Sequence, residues 1–219
     1  MHALNALWND RMAQRHASGA WDALAAGYGE RHRAYHDWSH IAGLVAELGR
    51  RCGLARRPDL VLAAVFWHDV VYETRTAGGA PRADRDNVRA SADLFRRYAR
   101  MPRQDADDVE ELVMATADHV TARASRTELQ GDMDLFLDLD LAPLAAPWPQ
   151  FVENGVAIRK EFSWVPERDF LIGHTAVLKQ FRDADRLYRR PETAAAWESH
   201  ARANLARRIV ELERRLAVL

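Results

Sequence analysis

At 219 residues the chain is long enough to bury a sizeable core, and its 48% hydrophobic content supports one. A formal net charge of −1, the absence of any apolar run long enough to span a bilayer, and a single cysteine argue against three classes. These are a nucleic-acid-binding surface, a membrane protein and a disulfide or cysteine-cluster zinc scaffold. Asp10, Arg11 and Arg15 interrupt the first apolar residues, so no signal-peptide core is visible and a reducing cytoplasm is the expected compartment. Lysine occurs only at Lys160 and Lys179, an arginine- and alanine-rich usage that suits a GC-rich bacterial genome better than phosphate recognition.

Apolar residues fall at helical spacing almost everywhere. Leu4, Leu7, Trp8 and Met12, then Trp21 and Leu24, predict two short helices broken near Ser18-Gly19. Ile41, Leu44, Val45 and Leu48 form the stripe of a longer helix ending near Gly53. If that helix is continuous from His36, then His36 and His40 share a face; if it starts at Asp37, His36 is a loop residue. Pro58 opens the next helix, which runs through Val61, Val65 and Phe66 to His68-Asp69. Thr76 to Asp86, with Gly78-Gly79 and Pro81, lacks periodicity and reads as a mobile loop beside His68-Asp69. Ser91, Leu94, Phe95 and Tyr98 resume the helical pattern, and a further helix runs from about Asp105 to His119.

Leu135 to Leu141 alternates strictly at its end, as a strand would, yet it lies isolated among helices. Leu135, Leu139 and Ala142 also fit one helix face, and a helix following Gly131-Asp132 is the expectation. Pro143, Pro147 and Pro149 end it, and two more helices follow through Phe162 and Phe181. The last helix, about 192–219, carries Leu205, Ile209, Leu212, Leu216 and Leu219 as a heptad-like seam. That seam packs either on the chain's own core or at a homodimer contact. No linker or repeat divides residues 1–219, so one all-α domain is expected.

Chemistry concentrates where polar groups sit in apolar runs. Asp69 follows His68 within Ala64–Tyr72, and a carboxylate in such a run needs a cation, a hydrogen-bond network or a proton. Alone, the dipeptide fits equally well a hydrogen-bonded core histidine beside a capping aspartate. With His40 upstream and the Asp138–Asp140 segment downstream, the set resembles the H…HD…D ligands of the HD superfamily of metal-dependent phosphohydrolases. Arg33 to Ile41 resembles the R-x-Y-H-N-x-x-H opening of one family of predicted HD phosphohydrolases. Phe66 to Tyr72 resembles its F-H-D-x-V-Y block, with Trp67 inserted. Asn87 with Ser91-Ala92 is similar to N-E-x-x-S-A, Thr116–His119 to T-x-x-H, and Asp138–Leu141 to D-x-D-L. Ile158–Phe162 and Ala201–Leu205 extend the match. Asp37 stands where that family has Asn, Val88 where it has Glu, and His174 where it tends to have Arg.

The resemblance implies an HD-type helical bundle holding a divalent ion (Mn, Fe, Ni, Zn, Co or Mg) on His40, His68, Asp69 and one late aspartate. Asp138 and Asp140 point about 200° apart on a helix, so at most one faces the ion. Asp138 is the expected ligand and Asp140 the alternative. Mixed nitrogen and oxygen donors with no thiolate suit such metals. Asp69, Glu73 and Asp118 are the expected catalytic carboxylates. His36, His119, Arg33, Asn87 and Arg159 are expected to touch substrate or orient a ligand, and Arg202 is a weaker phosphate-clamp candidate. The implied activity is hydrolysis of a phosphate ester or anhydride in a small phosphorylated molecule such as a nucleotide. The alternative is a catalytically silent metal-binding protein acting through protein contacts, which loss of Glu at Val88 favours.

Overall fold

The computed structural model describes residues 1–219 as helices and short connections without a β-sheet. Its α-helices are α1 (His2–Arg11), α2 (Ala20–Tyr28), α3 (Trp38–Arg50), α4 (Pro58–Trp67), α5 (Asp84–Tyr98), α6 (Arg103–Ala115), α7 (Thr127–Asp140), α8 (Trp148–Glu161), α9 (Glu167–Asp183) and α10 (Pro191–Leu216). No helix is long and apolar enough to cross a membrane.

The organising element is α4. Pro58 sits in its first turn, where a missing N–H costs nothing, and every residue from Leu60 to Trp67 is buried. A helix apolar on all sides belongs at the centre of a bundle, and α3, α5, α6 and α7 surround it. Each large side chain so buried contributes about 1.5–3 kcal/mol. Trp67 has a specific partner: its Nε1–H donates to His16 Nε2 (3.1 Å), while His16 Nδ1 donates to Met12 O (2.8 Å). Burial pushes the His16 imidazole below its ordinary range, which keeps the ring neutral and able to accept. The N-terminal helices are thereby pinned to α4.

Helix α3 begins at Trp38, with Asp37 as its N-cap and Asp37 Oδ1 accepting the Ser39 N–H at 2.7 Å. His36 is therefore a loop residue. Asn and Asp cap about equally well, so Asp37 suits this position on local grounds. Val88 lies in the main core at 2% exposure, where a Glu would need a buried partner.

The alternating segment is helical, and α7 starts earlier than the sequence suggests, with Gly131 and Asp132 inside it. Asp132 is held there by tertiary partners: its carboxylate accepts the N–H groups of Arg56 and Arg57, ahead of α4. The expected helix to His119 stops at Ala115 and continues as a 3₁₀ turn over Thr116–Asp118.

A second apolar cluster joins α9 and α10 through Leu171, Leu178, Leu205, Ile209 and Leu212. This consumes most of the α10 seam within the chain. Trp197 packs against both clusters.

One glycine is required by close approach. A Cβ on Gly27 in α2 would meet Val70 O at 2.3 Å. Alanine normally gains up to about 1 kcal/mol over glycine inside a helix. Here the clash is with backbone adjoining Asp69, and overpacking costs about 1–3 kcal/mol. Gly27→Ala should therefore lower stability by about 1–2 kcal/mol in urea unfolding. An unchanged or raised midpoint would show that α2 can shift freely.

Candidate metal centre

Four side chains from three elements converge. His40 comes from the first turn of α3, His68 and Asp69 follow the last turn of α4, and Asp140 ends α7. His40 Nε2 lies 3.2 Å from His68 Nε2. Asp69 Oδ2 is 3.2 Å from His68 Nε2 and 3.8 Å from His40 Nε2. Asp140 Oδ1 is 3.1 Å from His40 Nε2 and 3.4 Å from His68 Nε2. The ligand atoms of His40, His68 and Asp69 lie within 4.8 Å of one another, and Asp140 Oδ1 approaches the same two imidazoles. Neighbouring ligands on an ion with bonds of about 2.1 Å stand about 3.0–3.4 Å apart, which these spacings approach.

The electrostatics favour a cation. Burial alone would push His68 down, but Asp69 and Asp140 hold its imidazole well above the ordinary range. Burial would likewise push Asp69 and Asp140 up, and His68 holds both below the usual carboxylate range. Two carboxylates kept ionised in a buried place draw positive charge to the cluster, whether as a proton on His68 or as a bound cation. The tautomer fits as well. His68 Nδ1 lies 3.0 Å from Val65 O, which can only accept, so in the neutral ring Nε2 presents its lone pair to the cluster.

Comparison with protein-family models, curated proteins and solved structures finds no match. The site is read from its own geometry.

Asp138, the expected ligand, is placed elsewhere. It is fully buried, and its carboxylate accepts the N–H groups of Arg189 (2.7 Å) and Arg190 (2.8 Å) and the Thr193 hydroxyl. Burial pushes its carboxyl up to about 6, against the downward pull of these donors. Asp138 ties the entry to α10 onto α7, and the alternative, Asp140, faces the imidazoles.

Two of the three expected catalytic carboxylates stand apart. Glu73 points to the outside, 3.8 Å from His32 Nε2. Asp118 is turned into its own loop, accepting the Thr121 N–H (3.0 Å) and hydroxyl. The exposed Glu30–His32–Glu73 group also has ligand-like spacing, but His32 Nε2 donates to Tyr72 O at 2.9 Å and is not free to bind metal.

The expected orienting residues divide. Arg33 is buried and spends its guanidinium on Glu30, His36 O, Asp69 O (2.6 Å) and Val70 O (2.8 Å), fixing the backbone beneath Asp69. Asn87 does the same further on, exchanging two hydrogen bonds with the Glu73 backbone. His119 Nε2 contacts Asp140 Oδ2 at 2.7 Å, and Arg189 holds the His119 carbonyl. Arg159 does not reach the site. It donates to Phe162 O and Val165 O across the α8–α9 turn, and Arg202 is taken up by Glu198 and the Arg182 and Ala184 carbonyls.

The group that the sequence conceals is Glu161, the last residue of α8. One oxygen accepts the N–H groups of Ala34 (2.8 Å), Tyr35 (2.7 Å) and His36 (2.9 Å); the other accepts from His36 Nδ1 (2.8 Å). The His36 ring stacks on Tyr72 at 3.9 Å and lies 6.0 Å from the His40 ring. Its Nε2 has no partner within the protein. Burial would lower the His36 imidazole, but Glu161 and Asp69 raise it, so it holds a proton readily.

Proposed function

We propose that the chain is a metal-dependent hydrolase of phosphate esters or anhydrides, acting on a small phosphorylated molecule. The observation that carries this reading is the convergence of two imidazoles and two carboxylates beside an independently oriented histidine. His40, His68, Asp69 and Asp140 would hold a divalent ion, and the donor set fits one without closing it as thiolates would. When bound, such an ion neutralises charge on a phosphoryl group and lowers the pKa of water.

The protein's own groups supply the rest. Asp140 is aligned by His119, and Asp69 by Arg33 through the backbone. His36, with Nδ1–H committed to Glu161, keeps Nε2 available to give a proton to a leaving oxygen or take one from water. Tyr72 and Tyr35 flank this ring and limit its rotation.

One observation favours the silent alternative: Glu73 and Asp118 offer no carboxylate to the centre. Elemental analysis of protein never exposed to chelator, followed by a panel of nucleotides and simple phosphate esters, separates the readings. About one ion per chain with turnover is expected, and His36→Gln should lower kcat by about 10²–10⁴-fold while retaining the ion. An ion without turnover of any ester supports the silent protein. Absence of any bound ion would sink both.

A further inference from the structure

The connection from Asp69 to α5 carries a feature that the metal centre does not use. Residues 74–82 fold back on themselves: Thr76 N–H donates to Ala80 O (2.8 Å), Gly79 N–H to Thr76 O (2.9 Å) and Arg82 N–H to Thr74 O (3.2 Å). Gly79 takes φ +84°, a conformation that favours glycine, and Arg75 pairs with Pro81 as an isolated bridge. Of the Thr76 to Asp86 stretch expected to be a mobile loop, the part up to Arg82 closes as a hairpin-like turn and the part from Asp84 belongs to α5. The turn walls an open cavity of about 640 Å³ lined by Glu73, Arg75, Thr76, Ala77, Gly79 and Arg82.

The charge in this cavity is unbalanced. The Glu73 carboxylate is drawn toward His32 at 3.8 Å. Neither Arg75 nor Arg82 has a carboxylate within 4.0 Å, and Arg82 Nη2 donates only to Asp86 O at 3.2 Å. Arg82 Nε is buried with no hydrogen-bond partner at all. Two other arginines share that deficit, but each is otherwise paired, Arg15 with Asp59 (3.0 Å) and Arg190 with Glu192 (3.6 Å). The Arg82 guanidinium thus meets no carboxylate and only the Asp86 carbonyl, beside the unpaired Arg75 guanidinium and the Thr76 hydroxyl. A planar guanidinium matches a phosphate oxyanion in bidentate fashion.

We propose that this cavity is a phosphate subsite in which Arg75 and Arg82 hold a phosphate group other than the one hydrolysed. The assignment to a substrate's second phosphate rests on the function proposed above; the binding of phosphate itself does not. Position supports the link. Thr74, where the turn begins, donates its hydroxyl to the Glu161 carbonyl (3.1 Å), and the Glu161 carboxylate is the group that orients His36. The substrate class becomes a small molecule that carries a second phosphate besides the one hydrolysed.

The test uses the full chain purified without chelator, with inorganic phosphate as the calorimetric probe. Arg75→Gln/Arg82→Gln should weaken phosphate binding at least about tenfold, and Arg75→Lys/Arg82→Lys should recover part of it. Asp140→Asn, or wild type with chelator present, should leave the subsite isotherm in place. In turnover, the Gln pair should lower kcat/KM at least about tenfold for a substrate with a second phosphate and leave p-nitrophenyl phosphate unchanged. Unchanged phosphate affinity in the Gln pair, or affinity lost only with Asp140→Asn, would overturn the proposal. If no ester is turned over by wild type, the proposed reaction fails and the isotherm still decides the subsite.

Discussion

Asp140→Asn is expected to empty the metal centre, whereas Asp138→Asn leaves it filled and weakens the fold instead. The two aspartates are two residues apart on α7 and point to opposite tasks. Asp140 places Oδ1 against both imidazoles and is steadied through Oδ2 by His119. Its amide would put an N–H₂ group or a weaker neutral oxygen where the ion needs a charged donor. Apparent metal affinity should fall by more than about 100-fold. His119→Ala, which removes only the steadying contact, should cost about 10–100-fold. Asp138 has no imidazole near it and satisfies three donors from residues 189, 190 and 193. Asp138→Ala would strand those donors in a buried place, at about 1–3 kcal/mol each before relaxation, so a loss on the order of 3–5 kcal/mol is expected. Elemental analysis and urea unfolding of the paired variants read both effects. A filled site in Asp140→Asn, or an empty one in a well-folded Asp138→Asn, reverses the assignment.

Asp69 is legible in the sequence and the choice between Asp138 and Asp140 is not, because sequence encodes local signals only. Pro58 at a helix start, Asp37 before Trp38 and the apolar stripe of Ile41, Leu44 and Leu48 are decided within a few residues, and the helices appear where those signals place them. The neighbourhood of His68-Asp69 stands out because two polar groups follow the uninterrupted apolar run Leu60–Trp67. Asp138 and Asp140 both sit among leucines, and their partners lie more than 50 residues away for Asp138 and 100 residues upstream for His40. No periodicity separates them. Glu161 follows Arg159 and Lys160, so it resembles a solvated face, although its side chain is fully buried against a loop 125–127 residues earlier. In an arginine-rich chain the sequence does not distinguish Arg33 from Arg159. Only the tertiary carbonyls around each guanidinium show that one props Asp69 and the other a distant turn.

Glu161 carries the second large effect, and its two substitutions should separate stability from chemistry. Its carboxylate gathers three consecutive backbone N–H groups and the His36 Nδ1–H, binding the end of α8 to the loop before α3. Burial would raise this carboxyl, but the His36 hydrogen bond and charge and the backbone donors hold it down, from 4.5 to about 2. A depressed carboxylate favours the folded state once both states are ionised. Its contribution, about 3 kcal/mol, is therefore complete above about pH 4.5 and disappears as pH falls toward 2. The raised imidazole of His36 describes the same pair and is not added to it. Glu161→Ala strands a charged imidazole and three N–H groups and should cost about 3–5 kcal/mol at neutral pH. Glu161→Gln keeps the oxygen that accepts from the backbone, but its amide N–H₂ then faces Nδ1. His36 must answer with a lone pair there and carry its proton on Nε2, the opposite tautomer from the one the carboxylate selects. Hydrolysis should fall by about 10²–10⁴-fold with the ion still bound and the stability difference between pH 6 and pH 3 reduced. Wild-type turnover and an unaltered pH dependence of unfolding in Glu161→Gln would show that the His36–Glu161 pair neither orients the reacting proton nor holds the two loops together.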